Sequence, residues 1–499
     1  MLQQPSYILS LDLGSSTAGA VLFNRQGEVV KQCQKEYEKY YPQPGWIEVD
    51  PDEIWFTMLS VIEELVADTN LKAAQIAGIG IANQRETTVI WDKSSGKPIY
   101  NAIAWQDRRG SRLCDELRYQ GFAELVRGKT GLILDAYFSA SKIRWILDNV
   151  IGARLAAEQG QLAFGTIDAW LIWKLTGGKE HLTEITNASR TMLFNIFTQQ
   201  WDEELLRLFK IPVQLLPKVC GNSEIIAHTA PVILDAPVPI AGVAGDQHAA
   251  LFGQLCFEPG TVKNTYGSGC FVLMNIGTAP ILSAHNLLTT VAWKINNQVI
   301  YALEGSVFGG SSVFRWIRDG LGLIDHTAEI EDLARTEEDN GGVMFVPALS
   351  GLGAPYWDPY ARGMIIGITR GTSSGHIARA ALEGVALGID DALQAMQKDT
   401  GQRISMLKVD GSSAGYDWFM QLQTNIIQSP VQRPAVMPVS ALGVAYLAGL
   451  ATGFWNNLNE IRRNERINSV FSPELPAESV LPLKQRWQRA IARVQQWDI

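Results

Sequence analysis

Hydrophobic and polar positions follow two different periods along this chain, and both periods recur over its whole length. Residues 6–30 predict a strand, a Gly-Ser turn, a second strand, a polar turn and a third strand. Residues 50–68 then place apolar side chains three and four positions apart, which is typical of an amphipathic helix. Far downstream, the Ala- and Gly-rich residues 440–454 predict a buried helix with Ser440 as its N-cap. Because strands and amphipathic helices keep alternating, the sequence predicts an α/β protein.

A second series of elements resembles the first in its order. Residues 238–255 predict a strand, a Gly-rich turn and a helix, and residues 260–277 predict a strand, a Gly-Ser turn and a strand. The order of the N-terminal unit is repeated here, although its residues are not. The chain has 499 residues, which is too many for one ordinary hydrophobic core. We therefore predict two duplicated domains around a central cleft, comprising residues 1–254 and 255–499.

Composition and charge exclude several classes of protein. Hydrophobic residues make up 46% of the chain and charged residues 19%, as in soluble globular proteins. The formal net charge of −9 provides no basic surface for a nucleic acid. We find no apolar run of membrane-spanning length and no signal peptide. The five cysteines include no CxxC pair, which favours a reduced, cytoplasmic protein.

Three Gly-Ser turns each follow an apolar strand. They read "DLGSS" at residues 12–16, "YGSG" at 266–269 and "DGSSAG" at 410–415. Small residues allow backbone N–H groups to approach an anion closely. A single turn of this kind is usually only a turn, but three in one α/β chain favour a phosphate site assembled from both halves.

Two aspartates near these turns are candidates for chemistry. Asp12 ends the first strand, where a carboxylate could hold Mg²⁺ that bridges phosphate oxygens or could simply begin the turn. Asp246, in "GVAGDQHAAL", could accept the proton of a substrate hydroxyl or could cap the following helix. The residue types alone leave both pairs of alternatives open.

Arg85 and Glu86 lie in the otherwise apolar stretch "IANQRETTVIWD", residues 81–92. Charged side chains are rarely buried unless they are paired or bind a ligand. A structural ion pair and a polar ligand site therefore both account for these two residues. Since successive strand residues point to opposite faces, both can reach one ligand only if the strand ends or bulges at Gln84–Arg85.

Several longer stretches resemble the FGGY family of carbohydrate kinases. Two of them, at residues 137–149 and 363–383, fit the two signature patterns of that family. Five more resemble its glycerol kinase branch, at residues 40–55, 83–92, 96–109, 186–196 and 351–363. The resemblance extends from about residue 6 to about residue 497. It implies two duplicated actin-like (ribonuclease H-like) domains and phosphorylation of glycerol to sn-glycerol 3-phosphate by ATP with Mg²⁺.

The resemblance also implies a role for individual residues. On the substrate side it implies glycerol contacts from polar and aromatic residues, with Asp246 as general base: Arg85, Glu86, Trp105, Tyr137, Asp246, Gln247 and Phe271. Without the resemblance, the three aromatic residues would be interpreted as ordinary core residues. Of the two possibilities for Asp12 at its strand end, we predict the metal ligand. The implied nucleotide contacts are Ser15, Ser16, Thr17, Ser268, Ser311, Arg315, Ser412 and Tyr416.

The sequence differs from the family pattern on the nucleotide side. Gly19 stands where glycerol kinases usually have an arginine, a bidentate phosphate donor. Ser311, Arg315, Ser412 and Tyr416 also replace the usual residues. We hypothesise that Arg315 partly replaces the missing charge, the alternative being an exposed helix residue.

Two other functions stay open, and the nucleotide-side differences favour the second of them. One is a kinase for another small polyol or sugar, and the other is a glycerol-binding pseudokinase with a weakened nucleotide site. The sequence is compatible with a homodimer or a homotetramer, and it predicts glycerol and a nucleotide as partners.

Overall fold

The structure, a computed structural model, describes residues 5–498 and contains two large mixed β-sheets. The six strands of the first sheet, from edge to edge, are Ser223–His228, Pro239–Gly245, Ile76–Asn83, Tyr7–Leu13, Thr17–Phe23 and Val29–Glu36. The seven strands of the second sheet are Leu288–Ile295, Gln298–Val307, Cys270–Gly277, Val262–Tyr266, Leu407–Asp410, Val431–Pro434 and Ile467–Phe471.

Helices and small two-stranded sheets make up the rest of the regular structure. The helices up to residue 253 are Pro51–Thr69, Ser111–Tyr119, Ala123–Thr130, Ser139–Asn149, Ala153–Glu158, Ile167–Leu175, Ile185–Ala188, Glu203–Phe209, Pro231–Leu234 and Asp246–Gly253. The later helices are Ser311–Asp319, Ile330–Ala334, Ser374–Thr400, Asp417–Ile427, Val439–Thr452, Leu458–Arg462 and Ala477–Val494. The short strand pairs are Glu48–Val49 with Ala102–Ile103, Val89–Asp92 with Leu162–Gly165, Leu182–Glu184 with Lys218–Cys220, Phe194–Asn195 with Gln200–Trp201, and Met344–Val346 with Met364–Ile366. No helix within residues 5–498 is long and apolar enough to cross a bilayer.

The two large sheets share one topology. In the first, the hairpin Tyr7–Leu13 and Thr17–Phe23 continues into an antiparallel strand on one side and two parallel strands on the other. In the second, the hairpin Val262–Tyr266 and Cys270–Gly277 has the same neighbours in the same directions. This confirms the prediction of a duplicated α/β fold. It also places the first two Gly-Ser turns at equivalent positions, each at the tip of a hairpin.

The four central strands of the first sheet are buried on both faces. Along the strand Tyr7–Leu13, Leu9, Leu11 and Leu13 point into one apolar cluster and Ile8 into another, as strand alternation requires. The second of these clusters includes the helix Val439–Thr452, which packs on the first sheet although it lies late in the sequence. The predicted domain boundary at residues 254 and 255 stays a prediction.

The helix that begins with Asp246 is held by very close backbone packing. A Cβ atom placed on Gly443 would lie 1.8 Å from the carbonyl oxygen of Ala249, and one on Gly253 would lie 2.2 Å from that of Val439. The two helices therefore touch along their backbones, which fixes the position of Asp246.

We expect Gly443→Ala to lower the free energy of unfolding by about 1–3 kcal/mol, because the added methyl group must displace one helix. Thermal unfolding followed by circular dichroism would measure the effect. Gly128→Ala is a matched control, since the helical Gly128 has no atom within 4 Å of its added Cβ. There the same substitution should stabilise the protein by roughly 0.5–1 kcal/mol. Equal unfolding temperatures for wild type and Gly443→Ala would contradict the close packing.

Two local predictions have different outcomes. The strand Ile76–Asn83 ends directly before Gln84, which confirms the strand end that was expected at Gln84–Arg85. The prediction that Ser440 caps a helix is wrong, since the helix begins at Val439 and Ser440 lies inside its first turn. Its hydroxyl is instead used in a long-range hydrogen bond to Asp12.

Candidate active site

A cluster of buried charges lies just beyond the strand Ile76–Asn83. Arg85 is 3% exposed and forms a bidentate pair with Glu304, with Nη1–Oε2 at 2.5 Å and Nη2–Oε1 at 3.1 Å. Its Nε lies 3.4 Å from the Asp246 Oδ1. The guanidinium is thus held on one edge by Glu304 and faces Asp246 with the other.

Glu86 has a different partner. Its Oε1 accepts a hydrogen bond of 2.7 Å from Arg190 Nε, and Arg190 Nη2 donates to Glu304 at 3.1 Å. Ser306 also donates its hydroxyl to Glu304. Burial alone would raise the pKa of Glu304, but the charges of Arg190 and Arg85 hold this pKa well below its usual value. Glu304 is therefore an ionised carboxylate shared by two arginines.

Arg85 and Glu86 form only a long ion pair with each other, and neither is the other's main partner. Arg85 Nε and Glu86 Oε1 are 4.0 Å apart, and each side chain has a shorter contact with a distant residue. Arg190 and Glu304 are not among the site residues predicted from the sequence. Glu304 carries the signal that drew attention to Arg85, a charged residue in an otherwise apolar stretch, whereas Arg190 lies among polar residues and has no such signal.

Three aromatic residues lie beside this cluster. The ring of Trp105 makes edge contacts with Tyr137 at 5.5 Å and with Phe271 at 6.0 Å between centroids. The Arg85 guanidinium lies 5.4 Å from the centre of the Phe271 ring and donates to the Tyr137 hydroxyl at 3.3 Å. The structure thus combines apolar ring surfaces with fixed hydrogen-bonding groups. This combination suits a ligand with a carbon chain whose carbon atoms carry hydroxyls.

Asp246 is the first residue of its helix, and Gly245 is the N-cap. The Asp246 carboxylate accepts the backbone N–H of Gln247 at 2.7 Å, and its side chain is 25% exposed. Burial raises the pKa of Asp246, and the charge of Arg85 partly offsets that rise. A carboxylate with a raised pKa is a better proton acceptor than an ordinary surface aspartate.

Gln247 is held by Lys263 from the second sheet. Lys263 Nζ donates to the Gln247 Oε1 at 2.5 Å, to the Thr265 hydroxyl at 2.8 Å and to the Phe271 carbonyl at 3.3 Å. Both Lys263 and Gln247 are buried. Since the amide oxygen is taken by Lys263, the NH₂ group of Gln247 is its remaining hydrogen-bonding end.

The first Gly-Ser turn is connected to the aromatic residues. Trp105 donates its indole N–H to the Ser15 hydroxyl at 2.8 Å. Next to this turn, Asp12 accepts the Ser440 hydroxyl at 2.5 Å. Burial raises the pKa of Asp12 to about 6, the Ser440 hydrogen bond opposes this rise, and the nearby charge of Asp246 adds to it. Two carboxylates that repel each other here form an environment that a divalent cation would stabilise.

The second Gly-Ser turn packs on the helix Ser311–Asp319. The backbone N–H of Ser311 donates to the Gly267 carbonyl at 2.8 Å, and Arg315 Nη2 lies 3.2 Å from the Ser268 hydroxyl oxygen, to which it donates. Residues four apart share one helix face, so Ser311 and Arg315 both lie toward this turn.

Lys39 is a further cation on this side of the site, and it is not among the residues predicted from the sequence. Burial lowers its pKa to about 8, and the charge of Arg315 adds to this effect. Within residues 5–498, neither Lys39 nor Arg315 forms a salt bridge of 4.0 Å or less. Two cations without carboxylate partners beside the Gly-Ser turns make this side of the site suited to anions.

Comparison with known proteins matches both halves of this architecture. The model of the N-terminal domain of the FGGY family of carbohydrate kinases matches residues 7–253, and the model of its C-terminal domain matches residues 262–452. The chain belongs to the FGGY family of carbohydrate kinases.

Among curated FGGY relatives, the glycerol kinase of Parabacteroides distasonis is 53% identical over 491 residues, 98% of each chain. That of Dichelobacter nodosus is 54% identical over 492 residues, 98% of this chain and 99% of its own. Among solved structures, Plasmodium falciparum glycerol kinase with ADP superposes with a TM-score of 0.88 at 34% identity, covering 98% of each chain. The gluconate kinase of Lactobacillus acidophilus has a TM-score of 0.86 at 25% identity, covering 97% of this chain and 98% of its own.

The remaining predicted nucleotide residues of this FGGY kinase lie around the same turns. Ser16 is exposed and Thr17 begins the second strand. Ser412 is exposed at the start of the turn Ser412–Gly415, and the Tyr416 ring packs 6.3 Å from that of Phe314.

Gly19 pairs with Asp12 across the first hairpin, so a side chain at residue 19 would lie on the same face as Asp12. A Cβ atom there would meet only the Cys33 and Asp12 carbonyl oxygens, at 3.6 and 3.7 Å. An arginine side chain can therefore begin at this position without a clash.

Proposed function

We propose that this protein transfers the γ-phosphoryl group of ATP to a terminal hydroxyl of glycerol and releases sn-glycerol 3-phosphate and ADP. The observation that carries the proposal is the arrangement of Arg85, Glu86 and Asp246 beside Trp105 and Phe271. The curated relatives with about 53% identity are named glycerol kinases, which supports this substrate.

In the proposed reaction, each polar side chain serves one function. The Arg85 guanidinium donates to glycerol hydroxyls, the Glu86 carboxylate accepts from them, and the aromatic rings pack against the carbon atoms. Asp246 accepts the proton of the terminal glycerol hydroxyl. The oxygen of that hydroxyl attacks the γ-phosphorus, and the bond between the γ-phosphorus and the bridging oxygen that stays with ADP breaks. Backbone N–H groups of the Gly-Ser turns stabilise the phosphoryl oxygens.

Asp12 is the residue that we propose to hold Mg²⁺. Its carboxylate is a hard oxygen ligand, and its raised pKa beside Asp246 is consistent with an environment that favours a bound cation. When bound, Mg²⁺ would neutralise charge on the phosphate oxygens.

A coupled assay with glycerol, larger polyols and sugars against several nucleoside triphosphates tests the proposal. We expect the highest kcat/KM for glycerol with ATP. Preference for a larger polyol or a sugar would assign the protein to another kinase class. Glycerol binding without turnover on any nucleotide would identify a pseudokinase.

We also propose a location and an assembly for this protein. All five cysteines are free, which supports a reduced, cytoplasmic protein. A homodimer or homotetramer stays a prediction, which light scattering of the purified protein would test.

Arg315→Gln is expected to raise the KM for ATP by about tenfold, the scale of a hydrogen bond between charged groups. The reason is that Arg315 forms no ion pair of 4.0 Å or less within residues 5–498 and reaches Ser268 of the second Gly-Ser turn. Adding Gly19→Arg should recover the KM, because the new arginine would supply the phosphate with the charge that Arg315→Gln removed. Steady-state kinetics with ATP as the varied substrate measure both effects.

Arg318→Gln is the matched control on the same helix. Arg318 is also partly exposed, but it forms an ion pair with Asp319. Its replacement should leave the KM for ATP unchanged. If Arg315→Gln behaves like this control, Arg315 is an ordinary exposed helix residue and the nucleotide site is weakened by Gly19.

A further inference from the structure

Arg85 and Gln247, two of the first-half side chains that the proposed function assigns to glycerol, are each held by a buried charge from the second sheet. Glu304, on the strand Gln298–Val307, binds the Nη edge of Arg85. Lys263, on the strand Val262–Tyr266, binds the amide oxygen of Gln247. Glu304 and Lys263 are both 0% exposed, so they act through these side chains and have no contact with solvent.

We propose that Glu304 and Lys263 are positioning residues for the binding of a vicinal polyol. Through them, the second sheet sets the orientation of two hydrogen-bond donors in the first half of the chain, the Arg85 guanidinium and the Gln247 amide. The inference rests on the proposed function, because it assigns Arg85 and Gln247 to the substrate.

Glu304 determines which edge of Arg85 is free. Both Nη atoms of Arg85 donate to Glu304, and Nη2 also reaches Tyr137, which leaves the Nε edge toward Asp246 at 3.4 Å. A planar guanidinium bound at two points cannot rotate without losing both bonds. Without Glu304, the nearest carboxylate not already paired with another arginine is Asp246, and a close pair with Arg85 would take the proposed base away from a substrate hydroxyl.

Lys263 determines the orientation of the Gln247 amide. An ammonium group only donates, so Gln247 must present its oxygen to Lys263 and its NH₂ to the other side. The two remaining Lys263 hydrogen bonds, to Thr265 and Phe271, hold the ammonium in place. A neutral, apolar residue at this position would allow the amide to flip and would replace a donor by an acceptor.

Variants that remove each charge while keeping its size test the proposal. Glu304→Gln and Lys263→Met are compared with wild type in glycerol KM, ATP KM, glycerol affinity by calorimetry and unfolding temperature. For Glu304→Gln we expect glycerol affinity to fall about 10- to 100-fold, and for Lys263→Met about 10-fold. The KM for ATP should change less than twofold, and Glu304→Asp should restore part of the glycerol affinity.

Glu48→Gln is the control for a merely structural role. Glu48 is also a buried carboxylate, and it pairs with Arg109 rather than with the polyol side chains. We expect it to lower the unfolding temperature and leave glycerol affinity unchanged. Should Glu304→Gln not fold, Ser306→Ala removes one hydrogen bond to Glu304 and should weaken glycerol binding several-fold.

Three results would overturn the positioning role. The first is an unchanged glycerol affinity in the folded variants. The second is a loss of ATP affinity equal to the loss of glycerol affinity, and the third is a loss of glycerol affinity in Glu48→Gln as large as in Glu304→Gln. Because calorimetry measures glycerol binding without turnover, a failure of the positioning role can be distinguished from a failure of the proposed function. A wild-type protein that binds glycerol but does not phosphorylate it would refute the function and still report on positioning.

Discussion

Asp246→Asn is expected to lower kcat by about 10²–10⁴-fold, the contribution typical of a general base, while glycerol still binds. Asparagine has the same shape and can still accept the Gln247 N–H, but it cannot take the proton of the attacking hydroxyl. Rapid-mixing turnover measurements and glycerol calorimetry on the same preparation would separate the two effects. In the wild type, kcat/KM should fall on acidification through the Asp246 pKa, since burial raises this pKa and the base must be ionised to act.

Asp235→Asn provides the control for this substitution. Asp235 is an exposed aspartate in the same half of the chain, and its left-handed backbone is one that asparagine also adopts. We expect it to keep wild-type turnover. If Asp246→Asn keeps more than a tenth of the wild-type kcat, Asp246 is not the base.

Arg85→Ala should weaken glycerol binding by roughly 1.5–3 kcal/mol, the scale of hydrogen bonds to charged groups, and Glu86→Ala should do the same. Arg85→Ala should also destabilise the fold, because Glu304 and Asp246 lose a buried cation. Calorimetric titration with glycerol and thermal unfolding measure the two effects separately.

A second buried arginine distinguishes binding from stability in this experiment. Arg109 is paired with Glu48 and Asp107, and we expect Arg109→Ala to lower the unfolding temperature without changing glycerol affinity. If Arg85→Ala gives only this stability effect, the charged cluster is structural and the polyol binds elsewhere.

Local patterns were sufficient for the fold class and for part of the site. Alternating strands, small-residue turns and amphipathic helices predicted a duplicated α/β protein, because these periods are set by neighbouring residues. The same patterns indicated Arg85 and Glu86 as unusual, since charge in an apolar strand has a large desolvation cost. The predicted strand end beside Arg85 followed from the opposite directions of successive side chains.

Only the tertiary structure decided which charges meet. Arg85 and Glu304 are 219 positions apart, and Asp12 and Ser440 are 428 apart. No local period connects such residues, because their contact depends on how the two sheets and the helix Val439–Thr452 pack. Ser440 illustrates the limit, since its sequence context is that of a helix cap while its hydroxyl binds a carboxylate at the other end of the chain. The sequence by itself determined the elements and the unusual residues; packing between distant elements determined their partners, and with them the ionisation and orientation of the site.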